Sequence, residues 1–170
     1  MIKLVIVDFD GTLCLTEAMY FPIENRIAGA MGFPPMTREA HKKSWTKASL
    51  REAILERFSG IDFDVFTEHM RKEVPRLAAC NEIDAITPEN LATLDRIMAF
   101  GKKLALLTGR RLFEIEHLVA TEHPLNRRME KFYHRDNLEH MKPNPKVFDQ
   151  PLKDFNVRPD EAVYVGDILH

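Results

Sequence analysis

The sequence predicts an α/β fold: a parallel sheet with a helical insertion after its first strand. The first observation is a set of largely aliphatic runs at 4–7, 104–107 and 162–165, which have the composition of strands buried on both faces of a parallel sheet. The second is that polar, glycine or acidic residues follow each run, at the end where open α/β sheets bind ligands. The third is the apolar spacing within 15–84, which is typical of helices.

The first strand ends at a pair of carboxylates. Leu4–Val7 is followed by Asp8, and a second acid stands at Asp10 before Gly11. Residues two apart in an extended chain point the same way, so both carboxylates could address one ligand. Gly11 permits a sharp turn after them. An acidic turn without function is the alternative, and the other strand ends decide between the two.

The insertion at 15–84 is predicted to form several helices. Pro22 is expected to kink or restart the first of them. The predicted helices begin near Glu17, Thr37, Ser49 and Asp64. Four large side chains either line a substrate pocket or, as we favour, form the core of the insertion itself: Phe21, Phe33, Met36 and Trp45.

The second strand also precedes polar groups. Thr87 and Pro88 predict a helix start, and Gly101 predicts its end. The strand at 104–107 then runs into Thr108-Gly109, where a hydroxyl and backbone N–H groups at the start of a helix predicted over 112–122 would form an anion cradle.

The last third of the chain adds a cation and another acid. Lys131–His134 is predicted to be a short strand. Lys142 precedes two prolines, Pro143 and Pro145, which hold it rigidly at the start of a helix. The strand at 162–165 ends in Gly166-Asp167. We expect no role for five other acids, which we place in solvated positions: Asp84, Asp95, Asp149, Asp154 and Asp160.

Composition limits the partners. The chain has 170 residues and a formal net charge of -2, which gives no electrostatic reason to expect nucleic acid or an anionic membrane. Cys14 and Cys80 are too few for a disulfide framework and fit a reducing cytoplasm. The apolar start is too short for a signal peptide, and no run has the length of a transmembrane helix.

Four stretches of the chain, in order, resemble the four motifs of the haloacid-dehalogenase-like (HAD) superfamily hydrolases: Asp8–Thr12, Leu107–Arg110, Lys142–Pro145 and Val165–Asp167. The resemblance covers nearly the whole chain and is specific to the superfamily, though not to a substrate. It implies a Rossmann-like three-layer core at 1–14 and 85–170, and a small helical cap at 15–84. It also implies the phosphatase branch, because an acid stands at Asp10.

The resemblance further implies a magnesium-dependent phosphatase that hydrolyses a small phosphorylated metabolite. Asp8 would be the nucleophile and would form an aspartyl-phosphate. Asp10 would be the general acid and base. The phosphoryl group would be held by Thr108, Gly109 and Lys142. Magnesium would be bound by Asp8, the carbonyl of Asp10, and Asp167.

Other functions stay open at this point. A phosphomutase uses the same constellation, and a catalytically impaired, truncated phosphate-binding module would retain part of it. Receiver domains also combine acids, Thr and Lys, but they lack a helical insertion. Relatives usually carry another acid about four residues after the first acid of the fourth motif, and here the chain stops at His170. We therefore expect the C-terminal part of the core to be missing, with self-association through an exposed edge strand.

Overall fold

The structure is a computed structural model that describes residues 1–45, 50–80 and 82–167. The chain divides into two compact units: Met1–Cys14 with Ile86–His170, and Leu15–Ala85. Across the described ranges, no helix has both the length and the apolarity needed to cross a membrane. The α-helices are α1 (Thr16–Ala30), α2 (Arg38–Trp45), α3 (Leu50–Arg57), α4 (Phe63–Ala79), α5 (Pro88–Ala99), α6 (Leu112–Val119) and α7 (Asp149–Phe155).

The first unit is built on a parallel sheet, as predicted. Its strands are β1 (Leu4–Val7), β2 (Lys103–Leu107), β3 (Lys131–Tyr133) and β4 (Ala162–Val165), in the order β3-β2-β1-β4. Every pair is parallel, with Leu4 opposite both Lys103 and Ala162. All four residues of β1 are buried, which explains its purely aliphatic sequence. The carboxyl ends of the strands consequently lie along one edge.

The helix starts follow local capping chemistry. Thr87 accepts the N–H of Asn90 at 3.2 Å and caps α5, as predicted. Thr37 does the same for α2 through Ala40. The predicted start of α4 at Asp64 is wrong, because the capping side chain is that of Asp62, which accepts two backbone N–H groups.

Two further features of the helices differ from the predictions, and one more prediction is not tested. Helix α1 runs through Pro22 without a break. Pro22 lies in the second turn, so the helix continues although the residue cannot donate a backbone hydrogen bond to the preceding turn. Helix α6 ends at Val119, three residues before the predicted end at 122. The predicted cap at Ser49 lies outside the described residues.

The second unit, α1–α4, has an apolar core of its own. Its buried side chains come from all four segments and include Ile27, Ile54 and Phe66. Phe33, Met36 and Trp45 pack against this core, so the interpretation of these three as core residues is confirmed. Burial of these side chains therefore stabilises the packing of the helices against one another.

A polar cluster is buried inside the same unit. The Arg57 guanidinium pairs with the Glu24 carboxylate, and both side chains are at most 1% exposed. His41 is fully buried between two carboxylates, with Nδ1 2.8 Å from Glu17 and Nε2 3.2 Å from Glu24. Paired burial of this kind avoids leaving a charge without a partner.

Candidate active site

Asp8 lies directly after β1 and is buried. Its Oδ1 accepts the N–H of Phe9 at 2.8 Å. Its Oδ2 accepts two more bonds, from Lys142 Nζ at 2.6 Å and from the Tyr164 hydroxyl at 3.0 Å. Lys142 also donates to the Tyr164 oxygen at 3.1 Å. The first strand end, the third motif and β4 therefore meet at one carboxylate.

Burial raises the pKa of Asp8 above its usual range, and the neighbouring Lys142 ammonium opposes that shift. Burial also raises the pKa of Tyr164, and the negative charges of Asp8 and Asp167 add to the effect. The phenol consequently keeps its proton at neutral pH and remains a hydrogen-bond donor to Asp8.

Asp10 is held by a second cation. Arg110 donates through Nη2 to Asp10 Oδ1 at 2.7 Å and through Nε to Oδ2 at 3.2 Å. The Thr108 hydroxyl lies 3.5 Å from the same carboxylate. The carboxylate of Asp10 is therefore oriented from the loop after β2, whereas that of Asp8 is oriented by Lys142.

The loop after β2 is anchored by its own polar groups. Thr108 is fully buried, and its hydroxyl accepts the N–H of Arg110 at 3.2 Å. The N–H of Thr108 donates to the Tyr133 carbonyl in β3 at 3.0 Å. The Gly109 carbonyl accepts from Arg135 Nε at 3.1 Å. These bonds fix the loop at the end of the sheet, beside both carboxylates.

Asp167 approaches the backbone at Gly11. Gly11 has φ +74°, and a Cβ built on it would overlap the Asp167 carboxylate. Only glycine suits this position, because it tolerates the positive φ and leaves room for the acid. Asp167 itself is exposed at the surface. The predicted site residues thus all belong to the first unit and lie around the carboxyl edge of the sheet.

Comparison with known families decides the identity of this constellation. A model of the family described as haloacid dehalogenase-like hydrolase matches residues 5–170. The chain belongs to this family. The match contains all four motifs, and the resemblance drawn from them is confirmed.

Within the family, the chain is similar to proteins with related names. It is 26% identical over 166 residues to a phosphorylated carbohydrates phosphatase of Thermotoga maritima, covering 96% of this chain and 75% of that protein. A predicted phosphoglycolate phosphatase from Haemophilus somnus 129pt has a TM-score of 0.81 at 19% identity, covering 98% of this chain and 77% of that one. A putative β-phosphoglucomutase from Thermotoga maritima has a TM-score of 0.71 at 24% identity, with coverages of 96% and 75%.

The match to curated relatives is partial in length. Two other curated phosphatases align over only 12% and 35% of their own sequences. The solved structures under 25% identity establish the fold that this chain shares with them.

The donor set of this family member fits a hard divalent cation. Besides burial, the charges of the Asp8 and Asp167 carboxylates both raise the pKa of Tyr164. Because Gly11 has no Cβ, there is room for the Asp167 carboxylate beside it. The described residues hold no group of three or more Asp, Glu, His or Cys side chains placed to share a metal. The predicted set does not need one, because Asp10 would contribute its carbonyl and Mg²⁺ keeps several waters.

Two residues of the site went unassigned at the level of sequence. Arg110 stands inside the second motif, and its bond to Asp10 depends on two loops that meet only in the fold. Tyr164 was assigned to a buried strand, where an aromatic residue is ordinary. A phenol three residues before a strand-end acid was the signal that could have identified it.

Proposed function

We propose that this chain is a magnesium-dependent phosphatase that hydrolyses a small phosphorylated metabolite through an aspartyl-phosphate. The observation that carries the proposal is the buried Asp8 carboxylate, 2.6 Å from Lys142 at the end of β1, with Asp10 two residues on. A carboxylate beside a fixed ammonium group at a strand end is suited to attack on a phosphoryl group.

Asp8 attacks phosphorus, and its oxygen forms the new P–O bond while the bond to the leaving oxygen breaks. Protonated Asp10 gives its proton to that leaving oxygen. Asp10, now ionised, takes a proton from water as the water oxygen attacks phosphorus. The bond to Asp8 breaks, phosphate leaves, and both side chains return to their starting protonation states.

The remaining side chains of the site bind the phosphoryl group and neutralise its negative charge. Lys142 offsets the negative charge that Asp8 and the phosphoryl oxygens bring together. Thr108 and Gly109 hold phosphoryl oxygens at the end of β2. Magnesium would be held by Asp8, the Asp10 carbonyl and Asp167, and it would neutralise phosphoryl charge when bound.

We assign substrate selection to the helical unit of α1–α4, in the role of a cap. Support comes from its place in the chain, between the first and second motifs, and from its independent core. The names of the curated relatives favour a phosphorylated carbohydrate as substrate. The partners proposed are this small molecule and a second copy of the chain at the β4 edge. Cys14 and Cys80 are thiols and do not form a disulfide with each other, which supports a cytoplasmic location.

A phosphomutase is the second candidate, because a protein of that name shares the fold. A mutase passes the phosphoryl group from Asp8 to a second sugar hydroxyl, whereas a phosphatase passes it to water. Turnover of a sugar monophosphate followed by phosphorus NMR separates them: free phosphate indicates hydrolysis, and an isomeric sugar phosphate indicates transfer.

The deciding experiment measures phosphate release from p-nitrophenyl phosphate across a magnesium titration. We expect Asp8→Asn to lower kcat by about a thousandfold, which corresponds to about 4 kcal/mol of barrier. The control is Asp149→Asn, an exposed acid at the start of α7, which should leave the rate unchanged. Acid-quenched wild-type enzyme should carry a phosphate adduct on the peptide with Asp8. Absence of wild-type turnover, or near wild-type turnover in Asp8→Asn, would contradict the proposal.

A further inference from the structure

The two carboxylates of the site are each matched by a cation from a different loop. Lys142 serves Asp8, and Arg110 serves Asp10. When both carboxyl groups are ionised they repel each other, and a cation beside each one offsets that repulsion. The Asp8 cation has an assigned part in the proposed reaction. The Asp10 cation has none.

Arg110 is fixed on three sides. Its guanidinium lies 4.9 Å from the centre of the Phe9 ring, and Nη1 is 3.4 Å from the Glu114 carbonyl in α6. Its backbone N–H donates to Thr108, and its carbonyl accepts the N–H of Arg135 at 2.9 Å. The side chain is 91% removed from solvent, with an exposed fraction of 9%.

Asp10 is the more exposed partner of the pair. Its side chain is 27% exposed and sits before the positive-φ turn at Gly11. A short side chain at such a place has several rotamers, and the pair of bonds from Arg110 selects one of them. A planar guanidinium with two donors fixes both the position and the tilt of a carboxylate, which a lysine does not.

We propose that Arg110 is a positioning residue, which holds the Asp10 carboxylate in the orientation from which it transfers protons. The inference rests on the proposed phosphatase function and adds to it the residue that makes Asp10 effective. General acid–base catalysis depends on placing the group within hydrogen-bond reach of the reacting oxygen. Loss of a fixed orientation lowers the rate even when the proton donor itself remains.

A direct role in substrate binding is the competing explanation. A guanidinium that bound the phosphoryl group would have to leave Asp10, give up the Phe9 ring and break the bond from Nη1. The bidentate pair, the stacking and the low exposure together favour a residue that serves Asp10. The two explanations differ in KM, in the response to the leaving group and in coupling to Asp10.

The test compares Arg110→Ala and Arg110→Lys with wild type on p-nitrophenyl phosphate and phenyl phosphate. We expect Arg110→Ala to lower kcat by about ten- to a hundredfold, within the range of general acid–base catalysis, with KM changed by less than about threefold. kcat/KM should fall further for phenyl phosphate, because its poorer leaving group needs the proton from Asp10. Arg110→Lys should recover part of the loss.

A double-mutant cycle with Asp10→Asn separates positioning from every other role. If Arg110 acts through Asp10, adding Arg110→Ala to Asp10→Asn changes the rate by less than about twofold. Arg111→Ala removes the neighbouring exposed arginine and should match wild type in all assays. Far-UV circular dichroism confirms folding of each variant, and Arg110→Lys serves if Arg110→Ala fails to fold.

Three results would overturn the inference while leaving the phosphatase proposal intact. They are wild-type rates in Arg110→Ala, a loss confined to KM, and additive effects in the cycle. Failure of the function itself has a different signature, since wild-type protein would then release no phosphate and form no adduct.

Discussion

At the scale of single residues, the site depends on a glycine, Gly11, whose lack of a Cβ leaves room for Asp167. Gly11 turns the chain after Asp10 with φ +74°, and the Asp167 carboxylate occupies the space beside it. The positive φ costs any other residue roughly 1–2 kcal/mol. The overlap with Asp167 is a separate penalty, because it moves an acid that we propose as a metal ligand.

We therefore expect Gly11→Ala to weaken the response to magnesium as well as the fold. The magnesium concentration for half-maximal phosphatase rate should rise by about ten- to a hundredfold, the usual effect of disturbing groups around a metal site. The control is Gly101→Ala, which has φ +69° but open space at the Cβ position. Both variants place alanine at a positive φ and should lose stability for that reason. Only Gly11→Ala should shift the magnesium titration. Equal titrations would show that Asp167 accommodates the methyl group.

Local sequence predicted those site residues whose position follows from a strand end. Asp8 and Thr108 follow buried strands, and the carboxyl ends of parallel strands share an edge. Arg110 and Tyr164 could not be assigned, because their partners come from other parts of the chain. The expectation that Asp84 is solvated is wrong. It is 1% exposed and accepts a hydrogen bond from Tyr20 at 3.4 Å, a contact between residues far apart in sequence.

At the scale of elements, one carboxylate ties α7 to β3. Asp154 accepts from Lys131 Nζ at 2.8 Å and the Tyr133 hydroxyl at 2.9 Å, both on β3. Gln150 in α7 donates to its other oxygen at 2.6 Å. These donors hold the pKa of Asp154 below its usual range. Asp154 is exposed on its helix, as expected, and these three donors add specific contacts that the sequence did not predict.

We expect Asp154→Asn to lower the free energy of unfolding at pH 7 by about 0.5–1 kcal/mol, because solvent screens part of the attraction. Because the folded-state pKa lies below the unfolded one, this stabilisation is present above the unfolded pKa and is lost as the pH falls through the folded pKa. Urea denaturation at pH 7 and pH 3 should show the difference shrinking. Asp160→Asn is the control, since its partner Arg158 is exposed and such pairs contribute little. A pH-independent difference would contradict the assignment.

A second tie joins α1 to α3 in the helical unit. Arg57 pairs with Glu24, donates to Ser44 at 2.5 Å and lies 5.6 Å from the Trp45 ring centre. Removing Arg57 takes the guanidinium partner away from the buried Glu24 carboxylate, and breaking a buried ion pair in this way costs about 3–5 kcal/mol. Replacing both members with apolar groups avoids that penalty.

We expect Arg57→Met to destabilise the helical unit strongly and Glu24→Met/Arg57→Met to recover much of the loss. Trp45 is the single tryptophan of the chain, so its fluorescence during urea unfolding reports this unit. Arg26→Met removes an exposed pair with Glu73 and should cost less than about 1 kcal/mol. If Arg57→Met and Arg26→Met have the same urea midpoint, the buried pair stabilises the unit no more than the exposed pair does, and the assignment is wrong.

Elements were predictable where one local pattern sets them. Strand β4 has its predicted bounds, because its composition and the following glycine act within a few residues. The end of α6 could not be predicted in this way. Val119 is followed by a series of turns, and the sequence has no helix-stop residue between it and Pro124. Fold class therefore followed from the strands and the insertion, and boundaries depended on tertiary contacts.

At the scale of the whole molecule, the sheet has an outer strand with apolar side chains in solvent. In the described part of the chain β4 is the last strand on its side, paired only with β1. Val163 and Val165 are 40% and 44% exposed. Beside them lies an apolar hollow lined in part by Phe148 and Leu152. Unpaired backbone groups next to exposed valines form a surface that another strand can extend.

We expect the 170-residue chain to self-associate through this edge in a concentration-dependent way, with a second copy as the occupant. Val163→Lys places a charge on the edge strand, a common protection against strand pairing, and should shift the population toward monomer in sedimentation-velocity runs. Val65→Lys is the matched control, because Val65 is 44% exposed but lies on helix α4, where no strand edge exists. The same mass for wild type at every concentration would refute self-association. Equal suppression by both lysine variants would indicate that any added surface charge prevents association, and it would contradict pairing along β4, which requires the effect to be confined to Val163.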